Sequence, residues 1–398
     1  MMACNRIIDI GDSDKDVCRR GLFVQLRTIK CVLKVMRFSF TIDLRKRDLY
    51  INFIVATTIL GMGIYHALYT GFMLFTTTSS TEHYKFASAL VTLNWTVQSI
   101  VSAFFFVRWQ KSQMLREYVR LLQIPQKYKG CNKNEEILRR TMSVMFAIVG
   151  SVSVFHLTFF VTIVFHLKFS FVHERLDMLK KEFYYEMLAG IAPLLALYLN
   201  CLWIVALFTY ILFNMAAYLE FKEFNNRLKK LGKTVDAAIA THLVELIDIH
   251  RGLAHSVRKL DKTFEAYAFV MIASNIPATI FSILLVASSH NLSLSHFVFS
   301  IPSITFCIIE LVGLTAAPAM LHGAICQSHS LLFSNHRIWS PYRPEVYQIA
   351  QSLLCHLNQT NLGVSIWGFA VVTKPLILTT LSVIVTMLAF LLEMRRNN

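Results

Sequence analysis

The sequence predicts an all-α polytopic membrane protein with seven transmembrane helices, its N-terminus cytoplasmic and its C-terminus extracellular. Three observations lead there. The 398 residues are 55% hydrophobic and only 16% charged, with a mean hydropathy of +0.51. One soluble core cannot hide that much apolar side chain. Seven stretches are also long and apolar enough for a bilayer core of about 30 Å, which takes roughly 20 helical residues. Finally, Lys and Arg fall unevenly on the two sides those stretches define.

The stretches run over Leu49–Phe75, Phe86–Val107, Thr141–Leu167, Leu188–Ala216, Glu265–Ser288, Phe297–Leu321 and Leu376–Met394. Each must be a helix, because lipid offers no partner to an unpaired backbone group. The first is also expected to direct insertion, since the opening segment MMACNRIIDIGDSDKD has no apolar core of the kind a signal peptide needs. The N-terminal region and the loops after the second, fourth and sixth spans hold 11, 9, 9 and 3 Lys and Arg. The loops after the first, third and fifth spans and the tail 395–398 hold 1, 4, 0 and 2. The positive-inside rule then sets the orientation. A G-protein-coupled receptor has the reverse one. The net charge of +15 fits loops facing anionic lipid and calls for no nucleic acid.

The expected cytoplasmic half is helical. Arg108 to Arg140 is basic and amphipathic, and forms one extension (108–140). A second (217–264) carries Leu243, Leu246, Ile247, Leu253, Val257 and Leu260 at helical spacing. Two readings stand for that stripe: a helix continuing inward from a neighbouring span, or a packing surface between subunits. A third extension (322–375) contains Pro344 to Phe369, which reads as a helix leading into the seventh span. No repeat or separable soluble domain interrupts the 49–394 unit. Pro193, Pro277, Pro302 and Pro318 are expected to bend their helices.

None of the eight cysteines falls in an outer loop, so no structural disulfide is expected. The sequon at Asn291 does fall in one, where glycosylation is possible. No phosphate-binding Gly loop, HExxH or Cys-x-x-Cys pair occurs. No enzyme, cofactor or metal site is expected.

Three segments resemble the insect gustatory receptors: LVELIDIHRGLAHSVRKLDKTF before the fifth span, LCHLNQTNLGVSIWGFAVVTKPLILTTL into the seventh, and TMLAFLLEM at the end. That family ends on Thr-Tyr, five apolar residues, then Gln-Phe. Here Thr386 matches, Leu388 to Leu392 supply the apolar run, and Met387, Glu393 and Met394 replace Tyr, Gln and Phe. Gly368-Phe369 is similar to the family's Gly-Leu-Phe element with one residue missing. The resemblance implies a ligand-gated cation channel of four subunits, homomeric or with related receptors. The last helix would line the pore, the cytoplasmic helices would form an anchor, and each subunit would bind a small-molecule tastant in its outer half. The setting would be the plasma membrane of a taste or other sensory neuron.

On that reading Val383, Thr386, Met387, Phe390 and Met394 form one stripe of the seventh helix, with Glu393 beside it. Phe390 and Met394 occupy the family's narrow gate, which apolar rings close by dewetting. Glu393 reads either as a ring of carboxylates that attracts cations or as a solvated helix end beside Arg395 and Arg396. The outer halves of the spans present Trp95, Phe155, His156, Phe159, Phe160, Tyr198, Phe281 and Phe306. Such residues suit a mostly apolar pocket, and serve equally as filler and interface anchors. Glu310, mid-span in the sixth stretch, either meets a ligand or locks two helices. A secondary transporter is the alternative class. It would show repeat symmetry and paired intramembrane charges, which this sequence does not.

Overall fold

The computed structural model describes residues 28–40, 46–76, 83–112, 114, 118, 132–164, 191–231, 239–287, 294–359 and 361–397. The sequon at Asn291 and most of the basic stretch after the second span lie outside these residues. Six long helices come first: α1 (Lys46–Thr76), α2 (His83–Lys111), α3 (Asn132–Val164), α4 (Ala192–Leu231), α5 (Ile239–Ala287) and α6 (Leu294–Phe333). A single turn at His336–Trp339 leads to α7 (Pro344–Leu357), a two-stranded ribbon of β1 (Ser365–Ile366) and β2 (Ala370–Val371), and α8 (Lys374–Asn397). Helices α1 to α6 and α8 are the seven long and apolar enough to cross a membrane. The end carrying the loops after the second, fourth and sixth spans is called basal below.

Helix α4 is the axis of the bundle. Every residue from Cys201 to Tyr210 is buried, as expected of a helix that is apolar all round. Its walls are α6, α3, α2 and α5. Gly313 of α6 lets the two backbones close: a Cβ there would lie 2.7 Å from Ile211 Cδ1.

Helix α5 has 49 residues, about 74 Å at 1.5 Å per residue and well over twice the bilayer core. Its first half carries Glu245, Asp248, Arg251, Arg258, Lys259, Asp261 and Lys262, so the spanning part begins near Glu265. The extension 217–264 is therefore both neighbouring spans continued, α4 to Leu231 and α5 from Ile239. Leu243, Leu246, Leu253, Val257 and Leu260 are buried in this chain's own core, where α7 packs on α5 with Val346, Ala350, Leu353 and Leu357.

Where α2, α4 and α5 leave the apolar belt, an aromatic cluster joins them. Trp109 lies 4.8 Å from Phe264 and 5.2 Å from Tyr267, and Tyr210 lies 5.4 Å from Phe264. Trp109 Nε1–H donates to the Thr263 carbonyl (3.2 Å) and Tyr210 O–H to that of Leu314 (3.1 Å). The buried polar tips of Trp109 and Tyr210 thus find acceptors while their rings pack.

The helix expected over Pro344 to Phe369 stops at Leu357. Asn358 leaves helical geometry (φ −80°, ψ 42°). Beyond it, β-branched Val364, Ile366 and Val371 favour extended backbone. Ser365 pairs with Val371 and Ile366 with Ala370. The chain reverses at Trp367 (φ 50°) and Gly368 (φ 75°), the two positive φ values of a type I′ turn. Asp261 Oδ1 fastens the ribbon to α5 by accepting both the Ser365 N–H (2.6 Å) and its O–H (2.8 Å).

Residues 28–40, read from sequence as part of a cytoplasmic region, pack into the bundle. A helical stretch at 28–35 ends in a Schellman motif: Phe38 N–H donates to Leu33 O (2.8 Å) and Arg37 N–H to Lys34 O (3.1 Å), with Arg37 left-handed (φ 55°). Ile29, Leu33, Phe38 and Phe40 are buried. Asn52 Nδ2 donates to Ser39 O (2.8 Å), and Gln110 brackets the segment, accepting from Phe40 N–H (2.8 Å) and donating to Phe38 O (3.3 Å).

Candidate functional site

Glu310 gathers four helices. It sits mid-span on α6, 1% exposed. Trp203 Nε1–H of α4 donates to its Oε1 (3.1 Å). Gln98 Nε2 of α2 (3.3 Å) and Asn275 Nδ2 of α5 donate to its Oε2. Asn275 also donates to the Cys307 carbonyl (3.1 Å), and Gln98 Nε2 to Ser274 Oγ (3.1 Å). A buried carboxyl group costs several kcal/mol unless donors surround it, and here three neutral N–H groups do so. Toward the apical end the α5–α6 interface stays polar: Ser282 Oγ meets Ser303 Oγ at 3.1 Å and Cys307 Sγ at 3.9 Å.

The aromatic residues anticipated from sequence divide among separate places. Phe306 joins the Glu310 node, its ring 6.4 Å from Trp203. Trp95 is half-buried on α2, and its carbonyl accepts from Ser99 O–H (2.8 Å) beside Gln98. Phe155 and His156 lie at the α3–α4 contact. His156 Nδ1 is 2.8 Å from the Val152 carbonyl and its Nε2 is 3.3 Å from Asn200 Nδ2. Both ring nitrogens are engaged, the first as donor and the second as acceptor. Tyr198 O–H donates to the Met36 carbonyl (2.8 Å), tying α4 to the 28–40 segment. Phe160 and Phe281 are half-buried, and the side chain of Phe159 lies outside the described residues. Sequence reasoning missed Trp203, Gln98 and Asn275, although an amide in an apolar run is itself a signal.

Helix α8 lies at the edge of the chain, packed on α5 and α6. Thr380 and Ile384 are buried, Ile384 in a cluster with Ile280 and Leu311, and Leu391 packs against it. Val383, Thr386, Met387, Phe390, Glu393 and Met394 are all exposed, Phe390 at 55%. At 100° per residue, Thr379, Ser382, Thr386 and Glu393 fall within about 40° of the direction opposite Ile384, with Phe390 beside them. Apart from buried Thr380, the polar residues of this apolar span thus share one outward face. Leu378, Leu381, Val385 and Leu392 form an aliphatic flank next to it. Thr379 and Ser382 were not singled out from sequence. They emerge once the buried face fixes the rotation of the helix.

The architecture has solved counterparts. The structure of the insect olfactory receptor OR5 from Machilis hrabei in complex with eugenol superposes with a TM-score of 0.70 at 10% sequence identity, covering 94% of this chain and 99% of that one. A second structure of the same receptor gives 0.69 at the same identity and coverage. This chain has the fold of an insect olfactory receptor. No protein-family profile matches the sequence, and no curated protein matches it. The likeness lies in the three-dimensional path of the chain.

Proposed function

We propose that this chain is a gustatory-type chemoreceptor of the insect chemoreceptor superfamily, acting as a ligand-gated, non-selective cation channel in the plasma membrane. The observation that carries the reading is the last helix. It is apolar enough to span a membrane, yet its Ser, Thr and Glu side chains point away from its own bundle. Lipid gives such a face no partner beyond the helix's own carbonyls, which Thr379 uses through Pro375 O (3.1 Å), and a water-filled pore does. Four copies around one axis would supply rings of Thr379, Ser382 and Thr386, with Phe390 and Met394 narrowing the path and Glu393 at its mouth. The fold shared with an olfactory receptor supports the chemosensory part, and the terminal Thr386-to-Met394 pattern favours the gustatory branch. The charge asymmetry of the loops supports a cytoplasmic N-terminus.

The test is whole-cell current from cells expressing the chain, with and without Phe390→Ala. A loosened gate passes cations without ligand, so a leak confined to the variant is expected. Equal surface expression with no leak, alone or with co-expressed related subunits, would remove Phe390 from the gate and weaken the pore assignment.

A further inference from the structure

The Glu310 node is held by neutral hydrogen-bond donors alone. A carboxylate offers about four acceptor positions. Three are taken, two on Oε2 and one on Oε1. The donors are two amides and an indole, all neutral, and no cationic side chain among the described residues pairs with this group. Acids inside membrane spans ordinarily meet a cation or line a polar cavity.

A second observation lies on the basal side of the node. Three polar atoms there, Gln98 Oε1, Ser102 Oγ and Tyr267 Oη, are buried with no well-formed hydrogen bond. Their residues are 1%, 0% and 0% exposed. Ser102 is one turn from Gln98 on α2, and Tyr267 of α5 faces Ser102 within electrostatic reach of Glu310. The Ser102 and Tyr267 hydroxyls are close enough for a weak hydrogen bond to each other, which leaves Gln98 Oε1 alone in a setting where buried polar groups are almost always paired. All three can accept a hydrogen bond, and Gln98 Oε1 can only accept. The partner missing at Gln98 Oε1 is therefore a donor. Aromatic side chains border the node: Trp203, with Phe306 against it, and Tyr267.

We propose that this node is a binding site for a protonated amine carried by the ligand, its ammonium group bound by Glu310 and by the acceptors Gln98 Oε1, Ser102 Oγ and Tyr267 Oη. The inference rests on the chemosensory reading above and narrows its ligand class to cationic amines with an apolar or aromatic body.

The experiment is thermal unfolding of the purified full chain in detergent, titrated with benzylammonium, with benzyl alcohol as the neutral match. A ligand that binds only the folded state raises the melting temperature with concentration. Benzylammonium is expected to raise it by a few degrees in wild type, and benzyl alcohol is not. The shift is expected to vanish in Glu310→Gln and to need at least tenfold more ligand in Tyr267→Phe and Ser102→Ala. The last two variants separate a site from a structural lock. They delete hydroxyls whose one contact is the weak one they make to each other, so they cost the unliganded protein little. Should Glu310→Gln fail to fold, these two still decide. An equal shift from benzyl alcohol, no shift in wild type, or an undiminished shift in Tyr267→Phe and Ser102→Ala would each overturn the proposal. Because no current is measured, failure of the channel reading leaves this result intact. Currents without an amine-induced shift would overturn this site alone.

Discussion

Replacing Asp261 by Ala should release the ribbon that leads into α8. One carboxylate oxygen accepts two hydrogen bonds from Ser365, at 2.6 and 2.8 Å. Bonds to a charged group are worth about 1.5–3 kcal/mol each. The site is only part-buried, so water recovers some of that in the variant. A net loss of about 2–3 kcal/mol, local to the ribbon, is a fair expectation. At 1.4 kcal/mol per decade, this opens the ribbon roughly 30- to 150-fold more often. Hydrogen exchange reads that opening directly. The N–H groups to follow are those of Trp367, bonded to Glu265 O at 3.3 Å, and Val372, bonded to Val364 O at 2.9 Å. Both should exchange faster by that factor in Asp261→Ala, while the interior of α4 keeps its protection. Asp261→Asn retains an acceptor oxygen and should fall between. If exchange at Trp367 and Val372 stays within threefold of wild type, Asp261 does not hold the ribbon, and the coupling argued from it is wrong.

Further outcomes follow from single contacts. Tyr198→Phe removes the bond to the Met36 carbonyl, worth about 1 kcal/mol, and should speed proteolytic cleavage within residues 28–40 about fivefold. Burial, with His356 and Arg258 nearby, pushes the imidazole of His250 down to about 4. The unfolded chain then binds more protons between pH 6.5 and about 4, so stability is full above that window and falls as pH drops through it. The loss is on the order of 3 kcal/mol at its acid end. His250→Leu should flatten that part of a melting-temperature profile, and an unchanged slope would assign the effect elsewhere. In the proposed pore, Ser382→Cys should make current sensitive to a charged, water-borne thiol reagent, and Val385→Cys on the aliphatic flank should not. Equal sensitivity would show that the polar face does not line the conduction path.

The spans were legible because spanning a bilayer demands about 20 apolar residues in a row, a signal local to each segment. Glu310 was legible for the same reason, as an acid interrupting such a run. Its partners were not. Gln98, Trp203 and Asn275 lie 212, 107 and 35 residues away, and only the packing of four helices brings them together. The 28–40 segment was hidden by its own composition: Lys30, Lys34 and Arg37 count toward the basic N-terminal region, while Ile29, Leu33, Phe38 and Phe40 between them do the packing. The ribbon escaped because strands of two residues are too short to show a period. The rotation of α8 was half legible. Spacing places Thr386 and Phe390 on a common side, but only the buried contact of Ile384 shows that Thr379, Ser382 and Glu393 share the outward face.

The same contacts suggest how the two proposed sites communicate. Helix α8 packs on α5 and α6, and each of these also supplies the Glu310 node, α5 through Asn275 and α6 through Glu310 itself. The residue after Glu310 is Leu311, which packs in one cluster with Ile280 of α5 and Ile384 of α8. A shift of α6 that follows a change at the carboxylate therefore moves a side chain already pressed against the helix proposed to line the pore. One helix further along, α5 holds α8 a second time, at its basal entry, through Asp261 and Ser365. Packed interfaces of this kind switch between discrete arrangements and do not deform continuously. Two attachments about 30 Å apart along α5, from Asp261 to Ile280, leave rotation or tilt of α8 about that pair as the motion of least cost. Rotation of α8 changes which of its faces, the Thr and Ser stripe or the ring of Phe390, meets the axis of an assembled channel. The ligand node and the gate thus need no contact with each other, only the two helices they share.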